Sequence, residues 1–303
     1  MVYRNLSGYL REKYSKRLKK ICIDGGFTCP NRDGKFGVGG CIFCGERGAG
    51  EHICASMDIT EQVRRALSAA EADDLFITYF QNFTNTYAPT DILRERYDAA
   101  LIDERIKILS IGTRPDCITE EIAALIAEYS KKREVWVELG LQTANDATAE
   151  IINRGYKRAE FERAMEILTR YGIPVVVHLI VGLPGENLND VISTAEYVSG
   201  FELFGIKIHS IYVMPGTRLA EMYEAGEYEP PTLSEFVDGA TAILARLSPN
   251  TVIHRLVADA PSGMLIAPKW NSDKHGIIEK IVTNIKDKGL SQGSLFLKKQ
   301  VKK

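Results

Sequence analysis

Residues 106–141 read IKILSIGTRPDCITEEIAALIAEYSKKREVWVELGL. Two apolar runs, Ile106 to Gly112 and Val135 to Leu141, flank a helix candidate at Glu120 to Lys131. Runs this continuously apolar read as strands covered on both faces. The same alternation extends both ways. Strand candidates are ICI around Cys22, Leu75 to Phe80, Pro174 to Gly182, Gly205 to Val213 and the weaker Thr251 to Leu256. Helix candidates are Ile59 to Ala70, Ile92 to Leu101, Phe161 to Tyr171, Leu188 to Val198 and Leu233 to Leu247. Buried strands alternating with helices predict a parallel α/β sheet. Six or seven such units, with no GxGxxG after the first strand, favour a barrel over a doubly wound sheet.

In a parallel barrel the chemistry gathers at the C-terminal ends of the strands. Polar residues follow nearly every predicted strand: Cys29, Gln81-Asn82, Thr113 to Cys117, Gln142-Thr143, Pro184-Gly185-Glu186, Pro215-Gly216-Thr217 and His254-Arg255. They are expected to converge on one face. The barrel is assigned to residues 1–256, with a cluster loop at about 24–50. Residues 257–303 form a C-terminal extension with one helix, Ile277 to Lys286.

The chain has 303 residues, enough for two average domains or one α/β barrel. Its 38 Lys+Arg against 40 Asp+Glu give a net charge of -2, which excludes a globally basic nucleic-acid binder but leaves room for a basic patch. No apolar run approaches the roughly 18 residues of a membrane span, and the opening MVYRNLSGYLREKYSKRLKK is not a signal peptide. A cytoplasmic protein is expected, without membrane partners and with thiols rather than disulfides.

Five of the six cysteines (22, 29, 41, 44, 54) fall in the first 54 residues; the sixth is Cys117. The segment CPNRDGKFGVGGCIFC (29–44) places Cys29, Cys41 and Cys44 on one glycine-rich loop. Three thiolates can hold three irons of a [4Fe–4S] cluster and leave the fourth iron open to a small ligand. Phe43 would shield the cluster from water. The same thiols also suit a structural zinc site with Cys54 or His52 as fourth ligand. Cys22, flanked by isoleucines, reads as a core thiol.

That cysteine motif, with YFQNFTNTYAP, GTRPDC, VELGLQT, INRGY, HLIVGLPGE, GIKIHSIYVMPGT and APKWN, resembles the radical S-adenosylmethionine (SAM) enzymes. The usual motif of that family is CxxxCxΦC. Eleven residues between the first two cysteines match the branch of the Elongator catalytic subunit and the bacterial YhcC/YtqA group. The resemblance covers most of the chain. It implies a partial (β/α)6 TIM-like barrel, a [4Fe–4S] cluster on Cys29, Cys41 and Cys44, and SAM on the open iron, cleaved to a 5′-deoxyadenosyl radical. It places Tyr79 and Gln81 at the SAM amino end. Glu138, Gln142 and Arg154 are set toward the ribose and the methionine carboxylate, and Gly182-Leu183 against adenine. An electron donor such as flavodoxin or ferredoxin is also implied.

The resemblance further implies tRNA as substrate. MnmL-type enzymes of the bacterial group convert carboxymethylaminomethyl-uridine at the wobble position to aminomethyl-uridine, a product suited to a downstream tRNA methyltransferase. On that reading Arg114 or Arg255 clamps the substrate carboxylate, and Cys117 is a catalytic candidate facing the substrate. Basic residues at both ends (Arg11, Lys13, Lys16, Arg17, Lys19, Lys20; Lys298, Lys299, Lys302, Lys303) read either as phosphate contacts or as solvated surface. A protein or small-molecule substrate, and a non-enzymatic iron–sulfur or zinc sensor, remain the alternatives.

Overall fold

The computed structural model describes residues 2–48, 57–258, 260 and 263–297. Seven parallel strands form one sheet in sequential order: β1 (Leu18–Ile23), β2 (Leu75–Phe80), β3 (Ile106–Thr113), β4 (Glu134–Gln142), β5 (Val175–Val181), β6 (Gly205–Ser210) and β7 (Val252–Arg255). The sheet curls into a half-barrel whose edge strands β1 and β7 do not pair with each other. This is the partial α/β barrel expected from the alternation of apolar runs and helices.

The helices are α1 (Leu6–Tyr14), α2 (Ile59–Ser68), α3 (Thr90–Ala99), α4 (Glu120–Ser130), α5 (Asp146–Ile151), α6 (Arg158–Arg170), α7 (Leu188–Val198), α8 (Arg218–Glu224), α9 (Leu233–Arg246) and α10 (Lys274–Asp287). Local chemistry fixes their starts. Thr232 and Glu235 cap α9 reciprocally, each accepting a hydrogen bond from the other's backbone N–H, at 3.3 and 2.8 Å. Outward strand residues such as Ile21, Leu109, Val137, Val177 and Ile208 pack against the helices in one continuous apolar layer. Ile277, Ile281 and Ile285 of α10 recur every fourth residue, are buried in that same layer, and pack the extension along α9.

α1 was not foreseen as an element. It closes the bottom of the barrel. Leu10 is buried against Ile77, Ile108, Trp136 and Val176, all inward residues near the N-terminal ends of their strands. This changes the meaning of the N-terminal basic run. Lys13 pairs with Glu134 at 2.9 Å, Lys16 with Asp73 at 2.5 Å and Lys19 with Asp74 at 2.5 Å. Those ammonium groups serve the fold's own acids at the end opposite the cysteine loop. The lysines at 298, 299, 302 and 303 lie outside the described residues. Among the described residues no helix is long and apolar enough to cross a membrane.

Candidate active site

The cysteine loop follows β1 and is pinned to residues 152–155. The Ile42 N–H donates to Ile152 O at 3.1 Å. Asn153 donates through Nδ2 to Gly40 O at 2.7 Å, and Asn31 Nδ2 donates to Asn153 O at 2.6 Å. Gly155 has φ +79°, and a Cβ there would stand 2.5 Å from Asn31 Oδ1, so a side chain is excluded twice over. The INRGY motif is therefore the clamp of the loop.

Arg154 belongs to that clamp rather than to the cavity. Its Nη1 donates to Leu141 O at 2.6 Å and Thr143 O at 2.7 Å, and its Nε to Tyr156 O at 3.0 Å. Arg114 is similarly committed. It grips Asp116 through two bonds of 2.9 and 2.6 Å and donates to Arg154 O at 2.9 Å. Both guanidiniums lie over the Tyr156 ring, 4.8 and 4.4 Å from its centre. Two forks so fully used have no geometry left for a bidentate carboxylate.

Cys41 and Cys44 are joined by a hydrogen bond between their thiols, and Cys29 lies near enough to add to the field at Cys44. A hydrogen bond from Cys44 draws the Cys41 thiol down to about 7 against the opposing effect of burial, assisted by Arg114, Arg154 and Arg32. The same bond and burial push Cys44 up. Soft sulfur donors beside guanidiniums suit a metal–sulfide cluster, because the cations offset the negative charge of the thiolates. Among the described residues no three His, Cys, Asp or Glu side chains close on a single metal ion. Cys54 and His52 lie outside the described residues.

Behind the loop a cavity of 330 Å³ runs into the half-barrel. Phe43 and Cys44 line its mouth, and Tyr79, Gln81, Gln142 and Arg255 its sides. Inward positions on β1, β5 and β6 add Lys20, Cys22, His178, Lys207 and His209. Cys22 is thus on the cavity wall and not in the outer core, because its isoleucine neighbours point outward while it points in. Lys20 shares that face by the two-residue period of a strand.

Glu138 sits behind this wall, with Lys207 Nζ in direct contact. It accepts from Ser110 Oγ at 2.6 Å and meets His178 Nε2 at 2.7 Å. Burial works against its charge, yet Lys207 and His178 hold the carboxyl well below its ordinary range. Burial lowers Lys207 to about 7, where Lys20 and Arg255 oppose Glu138. Burial, with Lys207, lowers His178 to about 4. A charge this deep persists because it is paired and hydrogen-bonded.

The remaining predicted residues lie elsewhere. Cys117 is buried beside Asp116, with Sγ 3.9 Å from Oδ1; burial first, then that carboxylate, raises its pKa. It does not line the cavity. Gly182 has φ +97° and packs under Pro231, which a Cβ would meet at 2.5 Å. Leu183 is buried in a small cluster with Ile42, Ile152 and Ile211, beneath Phe43. Sequence reasoning missed the inward set Lys20, Cys22 and Lys207 as site residues. The available signal was the i, i+2 pairing of polar groups, Lys20 with Cys22 and Lys207 with His209, inside apolar strands.

The site is thus a half-barrel with a three-cysteine loop at one end of a polar cavity, Cys44 reaching its lining. The chain belongs to the radical SAM superfamily: the family described as Radical SAM superfamily matches residues 29–198, and the Radical SAM C-terminal domain matches 204–287. It is an enzyme of that class. Within the class it is similar to YtqA of Bacillus subtilis (strain 168), 35% identical over 298 residues, covering 97% of this chain and 92% of that one. It is also similar to the tRNA uridine(34) acetyltransferase of Dehalococcoides mccartyi (strain CBDB1), 29% identical over 173 residues, covering 56% of this chain but 37% of that protein. Its fold is shared with the archaeal Methanocaldococcus infernus Elp3 carrying an N-terminal deletion, with TM-score 0.68 and 17% identity, over 91% of this chain and 64% of that one.

Proposed function

We propose that this enzyme modifies the wobble uridine of tRNA, converting its carboxymethylaminomethyl group to aminomethyl. The observation that carries the reading is a single cavity joining Cys44 and Phe43 to Lys20, Lys207 and Arg255. In this reading Cys29, Cys41 and Cys44 hold a [4Fe–4S] cluster, and SAM lies between Phe43, Tyr79, Gln81 and Gln142. Bound together, cluster and SAM supply a 5′-deoxyadenosyl radical able to take hydrogen from a weak C–H bond.

The methylene between amine and carboxylate is such a bond, because nitrogen donates to the resulting radical and the carboxyl group withdraws from it. Loss of one further electron from that radical, to the cluster the three thiols would hold, would leave a C=N bond, and one water would hydrolyse it to the aminomethyl group and glyoxylate; the chain's part is to orient the methylene and keep bulk water from the radical. The cationic wall favours the anionic end of the group, and Phe43 with Ile180 provides apolar surface at the mouth. A relative that acts on tRNA uridine(34) supports the choice of wobble uridine. A flavodoxin or ferredoxin would deliver the electron, and a methyltransferase would take the aminomethyl product.

The test is incubation of the reduced, cluster-loaded enzyme and SAM with tRNA bearing the carboxymethylaminomethyl group. Nucleoside mass spectrometry is expected to show its loss with stoichiometric deoxyadenosine. Deoxyadenosine formation beside an unchanged nucleoside would reject this substrate in favour of a protein or small molecule.

A further inference from the structure

Asn31 lies between the first two cysteines of the loop and is fully buried. It is tied at two points. Its backbone O accepts from the Gly40 N–H at 2.9 Å, one residue before Cys41. Its side-chain Nδ2 donates to Asn153 O at 2.6 Å. A carbonyl oxygen can only accept, so the atom facing it is the amide nitrogen, and the side chain has one orientation. That nitrogen carries a second hydrogen. It stands 4.0 Å from Cys41 Sγ, at the outer reach of a hydrogen bond to sulfur.

Two glycines make this placement possible. A Cβ at Gly37 would meet Asn31 Oδ1 at 2.4 Å, and one at Gly155 would meet it at 2.5 Å. Oδ1 itself is buried with no hydrogen-bond partner among the described residues. The amide is thus held where half of it goes unsatisfied, a penalty that an apolar side chain of similar volume would avoid. What the amide adds at this position is a donor beside sulfur. The neighbouring Arg32 does not fill that role, because its Nη2 is committed to Cys44 O and Gly45 O, at 3.1 and 2.6 Å.

An N–H aimed at a ligating sulfur draws off negative charge, and reduction of a cluster adds negative charge, so the donor favours the reduced form. Burial strengthens the interaction. We propose that Asn31 is a positioning residue that acts through Cys41, its Nδ2 donating to the thiolate sulfur and raising the reduction potential of the cluster. The proposal rests on the assignment of a cluster to Cys29, Cys41 and Cys44 and is independent of the tRNA substrate.

The experiment uses anaerobically loaded enzyme with heavy nitrogen only in its asparagine side-chain amides. Pulsed electron paramagnetic resonance of the reduced cluster, without SAM, is expected to show a weakly coupled heavy nitrogen that Asn31→Leu loses. In a redox titration, the ratio of reduced to oxidised cluster at the wild-type midpoint is expected to fall about tenfold in Asn31→Leu, a shift of about 59 mV for one electron. Asn153→Ala removes the donor to Gly40 O but keeps Asn153 O, and with it the Asn31 contact, so it should retain the wild-type potential. A normal cluster signal without the asparagine nitrogen overturns the role of Asn31 even where the variant cannot be loaded, and leaves the cluster reading standing. An unchanged potential in Asn31→Leu overturns it too, and an equal fall in Asn153→Ala assigns the effect to loop shape instead. Wild-type protein that shows no iron–sulfur signal removes the cluster reading itself, and the role of Asn31 with it.

Discussion

The same seven strands face two different environments. Outward, Ile111, Val137, Leu139, Val177 and Ile208 meet helices in a layer held by apolar packing. Inward, one residue along, Ser110, Glu138, His178 and Lys207 form a chain of contacts around a single buried carboxylate. The outer face tolerates any close-packed apolar set of the right volume. The inner face depends on particular partners, because each buried polar group must be satisfied. Stability is built on the first face and chemistry on the second.

Removing Glu138 breaks the inner network most severely. Glu138→Ala leaves the Lys207 ammonium and His178 without their acceptor and is expected to cost about 3–5 kcal/mol. Leu139→Ala, its outward neighbour, is expected to cost about 2–5 kcal/mol through a cavity alone. The double variant Glu138→Ala with Lys207→Met separates the two mechanisms. It should recover part of the loss, read by urea unfolding. No recovery would mean that Glu138 stabilises by packing, as Leu139 does.

The next effect is at the loop clamp. Asn153→Ala deletes the donor to Gly40 O and should destabilise by about 1–3 kcal/mol. More tellingly, a chelator should strip iron from the loaded enzyme several-fold faster. An unchanged stripping rate would show that residues 152–155 do not hold the loop in shape.

A smaller effect follows from pH. Lys207, drawn down to about 7 by burial, carries its proton below that pH and loses it above. The groups facing it are Glu138, kept ionised by its partners; His178, neutral above about 4; Tyr79, whose phenol is held protonated by burial; and the cations Lys20 and Arg255. Since an unfolded lysine keeps its proton well above pH 7, stability should rise as pH climbs from about 7 towards the ordinary lysine range, read by urea unfolding. Lys207→Met should lose that rise, and an unchanged profile in the variant would assign the titration elsewhere.

The weakest effect lies on the surface. Lys16→Ala opens the exposed pair with Asp73 and should leave the melting temperature where it was. A clear drop would mean that the basic run at the closed end of the barrel matters more than its exposure implies.

The outer face was legible in the sequence because continuous apolar runs leave few alternatives to buried parallel strands. The cysteine loop was legible because three thiols and four glycines in sixteen residues leave a strong mark. The inner face was read less well. Lys20 was grouped with its basic neighbours, since charge density along the chain hides the fact that alternate residues of a strand face opposite ways. Arg154 and Arg114 drew attention as carboxylate binders. Nothing in their spacing reveals that Leu141 O, Thr143 O and Asp116 consume their donors. Short helices such as α5 and α8 leave too little periodicity to detect.

The most direct test concerns the cysteine loop. Anaerobically prepared protein should contain about four irons and four sulfides per chain, and its reduced electron paramagnetic resonance signal should change when SAM is added. Cys29→Ala should abolish both that response and deoxyadenosine formation. Zinc in place of iron and sulfide, or a spectrum indifferent to SAM, would contradict the account.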